Sequence, residues 1–348
     1  MLTGVVSAHF CLVYATATRC YLDLARYFAG VERLPFQFRA LTAWLGAGLH
    51  RLVEPLTARA GPWPAPFDDT ALVTSTLLNM AALFAATVAT AATIDRLTGN
   101  RRFAKLASFL VPLMGLYNYV LMVGNWRLSY PYDLPQLALF ALCLHEIVAG
   151  RMAGVYACVT LAALNRETAV FLPLILALYR FGPAIALAPS GAGTMQQRLS
   201  RAMHAIRVTG SRTLAHLAAL TAIVIVARLL VHQMYAGNPL ETQTLVAGVF
   251  SVESFAKNVR HLGNPVYWPS LLSNFAFLWI PLLFGLRRVR PAGLRYALLV
   301  AIPWFAAMTL VGTLVEMRVF GELVSLFALA IAVMAYDIAG STRTTAAA

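Results

Sequence analysis

Charge is what this 348-residue chain has least of: Asp, Glu, Lys and Arg together make up 12% of it. Soluble domains carry roughly 25% charged residues, so that deficit excludes an ordinary soluble fold. With 60% hydrophobic residues and a mean hydropathy of +0.71, the chain reads as a polytopic membrane protein. Acids are scarcest, 14 against 27 Lys and Arg, for a net charge of +13. That excess does not point to nucleic acid. Most of the arginines sit in short stretches between apolar segments, as the positive-inside effect requires. Cys11, Cys20, Cys143 and Cys158 fall in or at the ends of apolar segments, with neither metal-ligand spacing nor a disulfide framework. Residues 1–18 lack a basic n-region and a small-residue cleavage pattern, so an uncleaved first helix is expected. P-loop, dinucleotide-binding, zinc HExxH and nucleophile-elbow motifs are all missing. The cofactor is left open: a divalent metal is compatible with the chain, but no residue pattern indicates one.

What is present is a series of apolar runs. Length and apolarity predict spans at Thr3–Tyr21, Thr70–Ile94, Leu106–Val123, Leu134–Ala149, Thr213–Tyr235, Trp268–Leu286, Tyr296–Leu314 and Leu323–Ile338. Between the fourth and fifth lies Met152–Tyr179, interrupted by Asn165-Arg166-Glu167-Thr168. Either flank alone is shorter than the roughly 20 residues that cross a bilayer. The run is therefore one helix with a charged centre, or a broken pair that dips in and returns. The expected fold is all-α: a single integral membrane domain over 1–348, with about eight full spans plus the broken pair. An outer loop over 22–69 would carry interfacial helices, since Phe36–Val53 combines apolar residues with a polar face. Residues 180–212 read as a basic cytoplasmic loop.

Orientation follows from the loops. Arg96, Arg101, Arg102, Lys105, Arg151, Arg180, Arg198, Arg201, Arg207, Arg212, Arg287, Arg288, Arg290, Arg295 and Arg343 all fall on one side of such a bundle. That side is expected to be the cytoplasm, with both termini there, in a bacterial inner membrane. Six arginines of the 22–69 region and its approach, from Arg19 to Arg59, oppose the rule. Binding to anionic lipid or to an anionic ligand would account for them. All acids except Asp95, Glu146 and Asp337 fall on the outer side.

Five short segments converge there: Tyr21–Asp23, Leu34–Arg39, Asn125–Asp133, Asn165–Thr168 and Glu316–Glu322. Ionisable groups at membrane depth are costly and tend to face a polar cavity. The tetrad at 165–168 is thus expected to floor a substrate cavity, unless its four polar residues merely bond across a helix break. Bland alternatives stand beside each of the others. Asp133 precedes an apolar helix and suits an N-cap. Glu316 and Arg318 suit a local ion pair, and the aromatics of 125–133 suit interface anchors. His145, His216 and His232 suit helix packing.

The chemistry these groups fit is transfer from a lipid-linked donor. A carboxylate can serve as general base, and arginine chelates phosphate oxygens. In layout the chain resembles the GT-C class of polytopic glycosyltransferases: Asp23 follows the first span, and an amphipathic stretch, Phe36–Val53, occupies the first outer loop with Asp68-Asp69. That resemblance implies a glycosyltransferase or polysaccharide-assembly enzyme using a polyprenyl-phosphate-linked sugar, with Asp23 as base. Arg39, Arg127, Arg166 and Arg318 would hold phosphate. Asp133, Glu167, Glu316, Glu322 and Asn165 would orient the arginines or the sugar. A large soluble outer domain, found in several enzymes of that class, has no counterpart here. A transporter or flippase with a broken helix at its midplane site is the rival reading. A non-catalytic membrane subunit is the third.

Overall fold

The computed structural model describes residues 1–60, 67, 69–121, 128–187, 195–239 and 252–346. Its helices are α1 (Leu2–Ala17), α2 (Leu24–Phe28), α3 (Ala40–Ala60), α4 (Thr70–Thr98), α5 (Arg101–Ala107), α6 (Leu110–Gly115), α7 (Asp133–Ala149), α8 (Met152–Asn165), α9 (Phe171–Leu187), α10 (Met195–Met234), α11 (Val252–Gly263), α12 (Trp268–Leu272), α13 (Trp279–Gly285), α14 (Ala292–Ala297), α15 (Ala301–Val311) and α16 (Val324–Ala346). Two-residue strands, β1 (Arg19–Cys20) and β2 (Leu128–Ser129), pair in parallel. Helix ends follow local chemistry. Asp69 caps α4 by accepting from the Ala71 amide at 2.8 Å, and Gly99 and Gly150 close α4 and α7 in the left-handed conformation.

Among the described residues, five helical stretches are long and apolar enough to cross a membrane: Thr70–Thr98, Arg101–Val120, Gly210–Met234, Ala292–Val311 and Met317–Gly340. The last of these is the axis of the bundle, with 89% of its apolar window buried by protein, whereas Gly210–Met234 is peripheral at 22%. The other expected spans differ. Leu2–Ala17 is apolar but short, the expected span Leu134–Ala149 is α7 with only 17 residues, and Met152–Asn165, one flank of the broken run, is apolar but short as well. The run 268–286 is not one helix: Phe275, Ala276 and Phe277 have φ between +53° and +61°, which splits it into α12 and α13. Side chains other than glycine enter that region at a cost of roughly 1–2 kcal/mol each. Buried Asn118 holds the kink, accepting from the Phe275 amide at 2.9 Å while donating to Asn274 at 3.0 Å and to the Met317 carbonyl at 3.1 Å. The basic stretch 180–212 is mostly helix rather than loop, because α9 continues to Leu187 and α10 begins at Met195.

Contacts fix the direction of each segment. Met152, at the start of α8, and Arg180, midway along α9, line one pocket. The broken pair is therefore a hairpin whose tip is Asn165–Thr168. That tip meets the start of α7, where Asp133 lies, and the turn before α16, where Glu322 lies. Thr93 meets His145 at the far ends of α4 and α7, and Asp337 meets Arg288 and Arg290 at the far end of α16. Acids that converge with arginines thus gather at one end of the bundle, and the surplus arginines at the other.

Close helix contacts depend on glycine. A Cβ on Gly293 would lie 2.5 Å from the Tyr179 carbonyl oxygen, where α14 crosses α9. Small residues let membrane helices approach closely in this way. Gly293→Ala is expected to destabilise the protein by about 1–3 kcal/mol, read as a fall in melting temperature in detergent. An unchanged melt would show that α14 can shift freely on α9.

Candidate functional site

The core of the site is a buried ion network. Asp133 and Glu322 have fully buried carboxylates, and Arg166 and Arg318 are nearly as buried. Arg166 reaches Asp133 Oδ1 at 3.0 Å and Glu322 Oε1 at 2.8 Å through one nitrogen, Nη1. Arg318 Nη1 lies 3.4 Å from Asp133 Oδ2, and its Nη2 lies 2.5 Å from Glu316 Oε2. Asp133 is therefore bridged between two arginines. It begins α7 without capping it, for the N-cap is Tyr132 with no side-chain bond. Glu316 and Arg318 do pair, but as a largely buried member of this network rather than as an exposed local pair.

Neutral polar groups complete the packing. Asn165 donates to the Tyr132 carbonyl at 3.1 Å and to Gln136 Oε1 at 2.9 Å, and accepts from Thr42. Thr168 donates to Glu322 Oε1 at 3.2 Å and accepts from Gln136 at 3.4 Å. Asn165, Arg166 and Thr168 are all buried. These three residues of the tetrad thus form a packed polar joint across the hairpin tip, not the open floor of a cavity. Some capacity is left over: Arg166 Nε, Arg318 Nε, Glu322 Oε2 and the Tyr119 hydroxyl are buried without a hydrogen-bond partner.

Glu167 faces the other way from Arg166. The helix break causes this, because Arg166 is extended at φ −157° and ψ 149° and turns the next residue to the opposite side. The Glu167 side chain is 44% exposed, and Arg39 Nη2 holds its Oε1 at 2.8 Å. Arg228 Nη2 stands 3.9 Å from its Oε2 and is itself fixed by the Phe38 carbonyl at 2.9 Å. Lacing of the outer loop to the end of α10 sets these two arginines. Asn238 donates to the Gly30 and Glu32 carbonyls at 3.1 and 2.8 Å, and the Leu34 amide donates to the Pro239 carbonyl at 2.8 Å. The inner group has three carboxylates to two guanidiniums. The outer group of one carboxylate and two guanidiniums carries one surplus positive charge.

Aromatic faces separate the charges from solvent. Arg318 lies 3.9 Å over the Tyr130 ring, and Arg39 and Arg166 flank Tyr132 at 5.2 and 5.7 Å. Burial pushes the Tyr130 phenol up to about 12, so the ring stays neutral and its contact with Arg318 is cation–π. Tyr21 and Phe36 pack on Tyr130, at 6.2 and 5.8 Å, and extend the shelf toward the surface.

Seven of the ten residues expected at the site from sequence alone fall in these two groups, and Asn165 packs beside the inner one. Asp23 does not: it is exposed, and its Oδ1 caps α2 by accepting from the Arg26 amide at 3.0 Å. Arg127 lies outside the described residues. Arg228 is a site residue that the sequence reading missed. Its signal was available, since it is the arginine within the otherwise apolar run 213–235, and an intramembrane charge marks a functional site by default. Gln136 gave no such signal. His145, His216 and His232 pack as expected, against Thr93, Tyr156 and Phe38. No cluster of three or more metal-ligating side chains occurs among the described residues. Comparison of the chain with family models, with curated proteins and with solved structures finds no match.

Proposed function

We propose that this protein is a membrane-embedded transferase that moves a sugar from a polyprenyl-phosphate-type donor, in the manner of a glycosyltransferase. The observation that carries this reading is Glu167. It is a carboxylate on a half-exposed side chain, held between two arginines, Arg39 and Arg228, beside a buried network that fixes the hairpin on which it stands. A phosphate entering that gap would take the two guanidiniums, for which it competes well. Glu167 would then be released as general base. In the transfer, the bond from the anomeric carbon to the phosphate oxygen breaks and its electron pair stays on the phosphate. The acceptor oxygen bonds to that carbon, and its proton passes to Glu167. Asp133, Glu316 and Glu322 position Arg166 and Arg318, and Asp23 takes no part.

A second feature favours a lipid-linked donor. An apolar groove of about 420 Å³ opens on the side of the bundle, lined by Leu282, Leu283, Ile302, Phe305, Phe320 and Leu323 among others. Phe320 belongs to the turn that carries Arg318 and Glu322, so the groove leads toward the charged end. The hairpin also suits a transporter, whose half-helices meet at a midplane site. Purified protein in detergent separates the two. Given a polyprenyl-phosphate sugar and an acceptor, a transferase forms a glycosidic product without any sealed compartment. No product in detergent, with unaltered substrate crossing liposomes, would overturn the proposal.

The same proposal puts the bundle, with about eight spans plus the hairpin, in a bacterial inner membrane, the charged site outward and both termini cytoplasmic. The support is the set of arginines at the end opposite the site. Cysteine introduced at exposed Gly237 should be labelled from outside intact cells, and cysteine at exposed Arg102 should not. The reverse pattern would turn the site to the cytoplasm.

A further inference from the structure

A second charged feature lies at the opposite end of the bundle and plays no part in the transfer site. A pocket of about 170 Å³ is lined by Met152, Leu176, Arg180, Arg212, Thr213 and His216. Three helices supply it: the start of α8, the middle turns of α9, and the first turns of the membrane stretch of α10. His216 is fixed in place, with its Nδ1 2.9 Å from the Tyr156 hydroxyl. Among the described residues, no ion pair neutralises the two arginines. No carboxylate contacts either one among the described residues, and the sequence holds no Asp or Glu between Glu167 and Glu241. Glu146, the acid at the head of the hairpin, is already taken by Arg151 through two bonds of 2.6 and 2.7 Å.

The surroundings say what kind of anion belongs there. Arg212 sits at the mouth of an apolar stripe along α10, where Leu214, Ala218, Ala222, Ile225 and Leu229 are exposed at helical spacing. Leu220, Val224, Ala227 and Val231 are buried on the opposite face. A soluble anion has no use for such a stripe. A phospholipid does, with its phosphate between Arg180 and Arg212 and an acyl chain along the stripe. Basic pockets between membrane helices hold anionic headgroups in this way. We propose that this pocket is a structural binding site for an anionic phospholipid, with Arg180 and Arg212 gripping the phosphate and Thr213 and His216 facing the headgroup.

The test is lipid retention. Purified, delipidated full-length protein in detergent is given equal amounts of phosphatidylglycerol and phosphatidylcholine with the same chains, and the bound lipid is counted by native mass spectrometry. Two arginines near a headgroup should favour phosphatidylglycerol roughly thirtyfold. Arg180→Gln with Arg212→Gln should abolish most of that preference. Thr213→Glu, which places a carboxylate beside both arginines and keeps them, should do the same. It gives the same readout if the glutamine pair fails to fold. Arg101→Gln with Arg102→Gln removes two charges from the same end of the bundle without touching the pocket, and should leave the preference intact. Equal binding of both lipids by the unaltered protein would overturn the proposal, as would an equal loss in the control pair. Displacement of the lipid by millimolar inorganic phosphate would also overturn it, since the ligand would then be a soluble anion. Because none of these readouts involves transfer activity, they stand or fall apart from the proposed reaction.

Discussion

Arg166→Met should destabilise the protein by about 3–5 kcal/mol, the range for removing one partner of a buried ion pair. Methionine fills the space of the arginine stem, so the loss is electrostatic rather than a cavity. Arg166 neutralises Glu322 through its Oε1 at 2.8 Å, and Glu322 Oε2 has no hydrogen-bond partner among the described residues. Asp133 keeps Arg318 at 3.4 Å, but Glu322 would keep only the Thr168 hydroxyl at 3.2 Å. The rescue is specific to that geometry. Arg166→Met combined with Glu322→Gln removes the stranded charge and should recover at least half of the loss. Combining it with Glu167→Gln should recover nothing, because Glu167 pairs with Arg39 and Arg228 on the other side of the break. Thermal melts of the three variants in detergent decide it. If Arg166→Met melts with the unaltered protein, the network is not what locks the hairpin tip to α7 and α16.

That second pairing is the point at which sequence and structure part. Adjacent Arg166 and Glu167 read naturally as partners at membrane depth, and the chain alone offers nothing against it. The extended backbone at Arg166 decides otherwise, and a single residue's dihedral angles are not legible in a sequence without its tertiary setting. The membrane class was legible, because apolarity on this scale has one explanation. So was the convergence of 165–168, 133 and 316–322, because alternating spans must bring those loops to one end. The break in 268–286 was not. No Gly marks it, and it persists because Asn118, from another segment, meets the Phe275 amide. The helical content of 180–212 was missed for the opposite reason: its glycines and serines suggested a loop, yet α10 runs through Gly210 and Ser211. Asp23 shows the hazard of position in a layout. It follows the first helix as the family pattern implies, but its side chain is used by the Arg26 amide.

Glu167→Gln should reduce transfer by about 10²–10⁴-fold, the usual contribution of a general base, while costing only about 1 kcal/mol of stability. Glutamine keeps an oxygen that Arg39 can donate to at the same distance. Arg39 also retains the Pro35 carbonyl, and Arg228 retains the Phe38 and Ala163 carbonyls at 2.9 and 3.4 Å, so neither guanidinium is left bare. What glutamine cannot do is accept the proton of the acceptor hydroxyl. The companion change is Arg228→Gln, which leaves the base and removes half of the phosphate grip. It should weaken donor binding, seen as a raised KM, with turnover less affected than in Glu167→Gln. A structural role for Glu167 predicts another pattern: both variants would lose stability together, and whatever activity remained would scale with the folded fraction. Measuring product formation and melting temperature on the same samples distinguishes the two. Full activity in Glu167→Gln would remove Glu167 from the reaction. The transferase reading would then need a base on another of the outer segments, and Asp133, sealed between two arginines, could not supply it.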